Sequence, residues 1–288
     1  WANYVEMTKL AQGIPVLVAP KKDFQLDLNA IEKAITPKTR MILINTPNNP
    51  TGACYHREDL FRLGQLAVEH DFYIVSDEVY EKLIFDKEHI AVASLSPEIY
   101  EHTITINGFS KAFAMTGWRL GYTAAPSDVA KAIITMQSNS TTSATTFAQV
   151  AAITALKDCD DDVEMMRQEF AKRRDYTYSR LSKMPGITCT KPDGAFYFMP
   201  DISSYFGKTG NGKEIKNALD FCEYILDAAQ VAIVPGDAFS FPGTVRIAYP
   251  ASMETIREGM DKFEEALFYL IVTGIVSFYN VLYLHILK

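Results

Sequence analysis

The sequence predicts an α/β fold, with a large domain on a mostly parallel sheet and a small α+β domain after it. Three observations carry this. Short apolar runs that read as buried strands alternate with helix-like segments, the pattern of a parallel sheet covered on both faces. Three of these runs end in polar residues able to do chemistry. Beyond Pro185-Gly186 the alternation gives way to shorter, mixed elements.

Met41 to Asn45, Phe72 to Asp77 and Thr103 to Ile106 are the three strand-like runs, each of a length suited to burial on both faces. Between the first two, Arg57 to His70 sets Leu60, Leu63, Ala67 and Val68 on one helical face. After Ser127 the chain turns helical. Ala148 to Leu156 is small and apolar, and Asp161 to Lys183 carries Val163, Met166, Phe170 and Leu181 among charges. Strands are expected near Ile187 to Thr190 and Ala195 to Met199, and a helix near Glu214 to Ala229. Further strands are expected at Val231 to Val234 and Val245 to Tyr249, with a closing helix from about Ser252. The large domain then reads as residues 1–183, the small one as 184–266, and 267–288 as an apolar tail. No Asp, Glu, Lys or Arg occurs from Ala266 to Leu287, a stretch long enough to span a bilayer as a helix. Asn280 and His285 inside it leave a buried or partner-covered terminal segment open as well.

Composition narrows the function classes. A hydrophobic share of 48% and a charged share of 22% are ordinary for a soluble globular chain of 288 residues. The net charge of −7, with no Lys/Arg block, excludes a general nucleic-acid binder. Cys54, Cys159, Cys189 and Cys222 are scattered, with no C-x-x-C pair and no Cys/His cluster. Neither a metal nor a disulfide framework is expected, and the compartment reads as reducing, either cytoplasm or an organelle's stroma. Trp1-Ala2-Asn3-Tyr4 has none of the marks of a signal peptide.

The chemistry lies where the strands stop. The first runs into Asn45-Thr46-Pro47-Asn48-Asn49-Pro50-Thr51-Gly52, the second into Asp77-Glu78-Val79-Tyr80, the third into Asn107-Gly108-Phe109-Ser110-Lys111. Open α/β sheets bind ligands beyond the carboxyl ends of their strands. An amide, a carboxylate and a lysine gathered there suit an aromatic, electron-withdrawing cofactor.

These stretches resemble the class I/II (fold-type I) pyridoxal-phosphate (PLP) aminotransferases, and among them the bacterial- and plant-type aspartate or aspartate/prephenate enzymes. The resemblance rests on residues 45–52, 76–80 and 110–122, supported by Gly194-Ala195-Phe196-Tyr197, residues 234–239 and Val245 to Tyr249, in family order. It implies that Lys111 holds the cofactor aldehyde as an imine and later moves the substrate proton. Asp77 would keep the ring nitrogen protonated, since a carboxylate against it favours the cation. Tyr80 and Asn49 would hydrogen-bond the ring oxygen O3′, Asn49 also touching the substrate carboxylate. Arg119 would clamp the phosphate with its planar fork of donors, and Ser110 would supply a further phosphate contact. Arg246 would hold the substrate α-carboxylate, and Trp1 would stack on the cofactor ring or, as the first residue, fray. The partners implied are an amino acid, aspartate or glutamate, and a 2-oxo acid, with a second copy of the chain forming a homodimer.

Three departures stand out. The family's amino-terminal quarter, with its arm and phosphate-cradling glycine loop, has no counterpart here. Gly108 stands where many relatives carry a hydroxyl, and nothing after Ala266 resembles the family. Aromatic or prephenate transamination, another reaction on the same scaffold, and a truncated chain that does not hold the cofactor stay open beside aspartate transamination.

Overall fold

The computed structural model describes Trp1 and residues 3–286, with side chains as far as Val272. The apolar runs form the expected strands: Met41–Asn45 (β1), Tyr73–Asp77 (β2) and Thr103–Gly108 (β3) pair in parallel. Gly121–Ala124 (β4) adds to β3 in the antiparallel sense, giving the order β1-β2-β3-β4. No apolar run announces β4, whose four residues are all exposed. It forms because the intervening loop folds back, with the Phe109 N–H donating to the Leu120 carbonyl (3.2 Å). The two strands come so close that a Cβ on Gly121 would stand 2.9 Å from the Asn107 carbonyl oxygen.

Helices precede, separate and follow these strands: Asn3–Leu10 (α1), Leu28–Ala34 (α2), Arg57–His70 (α3), Pro97–Glu101 (α4), Ser127–Ser140 (α5), Thr146–Asp158 (α6) and Asp160–Leu181 (α7). α3 buries Leu60, Leu63, Leu66 and Ala67 against Phe72, Ile74 and Ile99. Each of these leucine side chains taken from water contributes about 1.5–3 kcal/mol. Asp71 ends α3 in the left-handed region (φ 51°), returning its N–H to the Ala67 carbonyl. α4 starts on Ser96, whose Oγ accepts from the Ile99 N–H, with Pro97 at the first helical position.

The chain divides into two compact units. The sheet unit is Met7–Glu169 with Asp193–Ala195; the second unit is Trp1–Glu6, Phe170–Pro192 and the chain from Phe196 onward. The division falls inside α7, where no break in the sequence marks it.

In the second unit, Tyr197–Phe198 (β5), Val234–Pro235 (β8) and Val245–Ala248 (β9) form an antiparallel sheet ordered β5-β9-β8. Thr209–Gly210 (β6) and Lys213–Glu214 (β7) make a small hairpin. That hairpin is why the next helix, Ala218–Ala229 (α8), starts later than its apolar pattern suggests. It is capped by Asn217, whose Oδ1 accepts from the Asp220 N–H (2.9 Å). The strand expected at Ile187 to Thr190 is reduced to one bridge, Thr188 with Asp201. Pro200 shortens β5, since proline has no N–H for a ladder. The last helix, Met253–Ile286 (α9), buries Ile256, Met260, Phe263, Leu267 and Leu270 along one stripe. Among the described residues no helix is long and apolar enough to cross a membrane. Most of the 267–288 tail lies outside the residues whose side chains are described.

Candidate active site

Register brings the strand ends level. Asn45 faces Asp77 across β1 and β2, and Asp77 faces Ile106 across β2 and β3. Asn45 is 4% exposed and satisfied at both ends of its amide. Its Oδ1 accepts from the Asn49 N–H (2.8 Å), and its Nδ2 donates to the Asp77 carbonyl (2.9 Å). The following turn closes on itself: Asn48 Oδ1 accepts from both the N–H and the hydroxyl of Thr51, and the Gly52 N–H donates to the Asn48 carbonyl (2.8 Å). Gly52 takes φ 72°, a conformation that favours glycine. Asn49 is thereby held buried at the mouth of the sheet.

At the end of β2, Asp77 Oδ1 accepts from the Val79 N–H (3.1 Å), and the Glu78 N–H donates to the Ile106 carbonyl (2.8 Å). A tight turn follows, with the Glu81 N–H on the Glu78 carbonyl and the Leu83 N–H on the Tyr80 carbonyl. Tyr80 is buried in that turn, and the Lys111 Nζ lies 5.8 Å from the centre of its ring. The structure therefore gathers Lys111 with Tyr80, and links Asn49 to Asp77 through Asn45.

Ser110 and Arg119 share the loop that carries Lys111, and Thr116 joins them. The Thr116 hydroxyl donates to the Ser110 carbonyl (2.7 Å), and Arg119 Nη1 donates to the Thr116 carbonyl (2.8 Å). Arg119 itself is exposed and left-handed (φ 54°). A cavity of about 320 Å³ beside this loop, lined by Ala112, Met115, Trp118, Ala151 and Ala155, takes in none of the site residues.

Trp1 and Arg246 belong to the second unit. Trp1 is 49% exposed and meets Tyr4 edge-on, ring centres 5.4 Å apart. Arg246, opposite Val234 in the register of β9 and β8, lies over the rings of Tyr197 and Phe239, its guanidinium 4.7 Å from each centre. Such stacking fixes the plane of the fork.

Burial pushes the Cys54 thiol up to about 12, helped by the negative Asp193, and the Tyr55 phenol beneath the Asn48 turn also to about 12. Both groups stay neutral at physiological pH. Pattern reading missed Asn45 as the strut between Asn49 and Asp77, missed Asp193, and took Gly194 only as part of a motif. The Gly194 N–H donates to the Gly52 carbonyl (2.9 Å), and a Cβ there would sit 2.8 Å from both the Leu83 oxygen and Pro47. The only available signal was the glycine of Gly-Ala-Phe-Tyr, whose need for close approach is invisible without its neighbours.

The family model for aminotransferase class I and II matches residues 1–263. The chain belongs to that family. This aminotransferase is 42% identical over 272 residues to a probable aspartate/prephenate aminotransferase of Aquifex aeolicus, covering 93% of the chain and 68% of the relative. It superposes on the aspartate aminotransferase of Rhizobium meliloti with a TM-score of 0.89 at 36% identity, over 93% of this chain and 68% of that one. The aromatic aminotransferase of Pyrococcus horikoshii gives 0.86 at 41% identity, over 93% and 71%. The α/β fold, the aminotransferase class and the kind of reaction, transamination, are those of the family, whose members work with PLP.

Proposed function

We propose that this aminotransferase holds PLP at the carboxyl ends of β1, β2 and β3 and exchanges an amino group between aspartate or glutamate and a 2-oxo acid, oxaloacetate or 2-oxoglutarate. The observation that carries the reading is the Lys111 amine over the Tyr80 ring, with Asn45 and Asp77 paired at the ends of β1 and β2. The donor set fits the cofactor: a primary amine for its aldehyde, a carboxylate for its ring nitrogen, a phenol and an amide for its O3′. When bound, PLP is a sink for the electron pair released at the substrate Cα.

The chain's own residues supply the rest. Lys111 would hold the aldehyde carbon and would move the proton at the substrate Cα. Asp77 would keep the ring nitrogen protonated, and Tyr80 and Asn49 would donate to O3′. Arg119, held by Thr116, and Ser110 would take the phosphate. Arg246 takes the substrate α-carboxylate; its stacked plane supports that role, because orienting the carboxylate decides which Cα bond breaks. Trp1 would stack on the cofactor ring. We read the protein as a homodimer of a reducing compartment, the cytoplasm, with Cys54, Cys159, Cys189 and Cys222 all free.

The test is borohydride reduction of the chain mixed with PLP, followed by peptide mapping. A covalent pyridoxyl group on Lys111, absent in Lys111→Ala, is the expected result; no adduct on the wild-type chain defeats the reading. Aspartate and glutamate should convert the bound cofactor to its amine form, and a 2-oxo acid should restore it. Likeness to the Pyrococcus horikoshii aromatic enzyme favours a second reading, in which phenylalanine serves as amino donor better than aspartate. Relative kcat/KM for the two donors decides between them.

A further inference from the structure

Glu78 stands between Asp77 and Tyr80, and none of the roles above uses it. Its side chain leaves the strand on the face of Ser76, opposite that of Asp77, as residues two apart in an extended chain do. There it is 1% exposed. Oε1 accepts from the Ser76 hydroxyl (2.8 Å) and from the Val92 N–H (3.2 Å), while Oε2 meets His89 Nε2 at 2.7 Å. A carboxylate taken this far out of water is costly unless donors surround it, and here three do.

Those donors tie down the turn. His89 and Val92 lie in one segment, and that segment is fastened again upstream: the Phe85 N–H donates to the Asp193 carbonyl (3.0 Å), and Lys87 pairs with the Asp193 carboxylate (2.8 Å). The Glu81 carboxylate lies within 4.8 Å of Glu78 and His89, a set of ligand types that would suit a divalent ion. Both Glu78 oxygens already accept from protein donors, so the arrangement is complete as a hydrogen-bonded anchor.

We propose that the buried Glu78–His89 pair is a positioning device, holding the Asp77–Tyr80 turn where its carboxylate and phenol meet the cofactor ring. The proposal rests on the PLP reading for its functional consequence and on the anchored turn itself for its structural one. Three full-length variants separate the two. His89→Leu removes the donor to Glu78, His89→Gln restores an N–H donor, and Glu78→Gln keeps the shape without the charge.

In His89→Leu, PLP affinity from absorbance titration should weaken about tenfold, the effect of leaving one buried charged group short of a partner. kcat should fall while KM for the amino-acid donor changes little. In the chain without added PLP, amide hydrogen exchange at Val79, Glu81, Leu83 and Val92 should quicken. His89→Gln should recover most of the affinity and the protection. Equal exchange and equal PLP affinity in wild type and His89→Leu would overturn the proposal, as would a His89→Gln variant as damaged as His89→Leu. Should His89→Leu not fold, Glu78→Gln is read by the same two measurements with the same expected directions. Failure of the wild-type chain to form a Lys111 adduct would sink the PLP reading alone; the exchange data would still decide whether the pair anchors the turn.

Discussion

One buried amide, that of Asn45, accepts from the Asn49 N–H and donates to the Asp77 carbonyl, joining two residues that the chain itself separates widely. Asn45→Ala would strand a donor and an acceptor in a buried place. Each unsatisfied group costs about 1–3 kcal/mol, so a loss of about 2 kcal/mol or more in urea unfolding is expected. Transaminase kcat/KM should fall about tenfold or more with it, because Asn49 and Asp77 lose their common brace. The thiols give a second prediction at this scale. Burial holds Cys54 and Cys222 each near 12, so at pH 8 they should react with a thiol probe far more slowly folded than in urea. Asn49, Asp77 and Lys111 were marked out in the sequence because each sits in a run of characteristic residues at a strand end. Asn45, Glu78 and His89 were not, since their meaning lies in contacts made through space. His89, in particular, follows a stretch of mixed charges with nothing to set it apart.

Elements were legible where an apolar pattern packs onto one core. β1 and α3 have the bounds their apolar patterns suggest, with Ile42 and Ile44 of β1 and the Leu60, Leu63, Leu66 and Ala67 stripe of α3 meeting in the same cluster. β4 and the shortened β5 show the opposite case, in which a returning loop or a neighbouring proline decides the outcome. Two helix glycines sharpen the contrast. A methyl on Gly64 in α3 would run into the Ile99 side chain, with Cγ1 at 2.7 Å, whereas one on Gly259 in α9 would meet nothing within 4 Å. Alanine in a helix interior gains about 1 kcal/mol over glycine, while overpacking a core costs about 1–3 kcal/mol. Gly259→Ala should therefore raise the urea midpoint and Gly64→Ala should lower it. If both variants rise, the packing of Ile99 onto α3 is looser than described.

At the scale of the whole molecule, buried neutral acids tie stability to pH on the alkaline side. Cys54, with an ordinary value of 9.0, and Tyr55 and Tyr205, with ordinary values of 10.0, are all pushed up to about 12 by burial. The folded state thus keeps protons that the unfolded chain releases. Their contribution is intact below about pH 9, erodes above it, and is gone near pH 12. Tm should be level between pH 7 and 9 and then drop, and Tyr55→Phe should flatten part of that drop. The division into two units was harder to read from sequence, because the chain passes from one to the other inside a continuous helix. It passes again at Asp193–Ala195, three residues that complete the sheet unit although their neighbours on both sides belong to the second. Translation delivers Met7 to Glu169 before Asp193–Ala195, the residues that bond Gly52, Leu83 and Lys87. A ribosome paused before Asp193 would hold a nascent chain with its strands synthesised and the Tyr80 turn still short of its contacts with Asp193–Ala195. The last contacts of that turn arrive only with Asp193–Ala195.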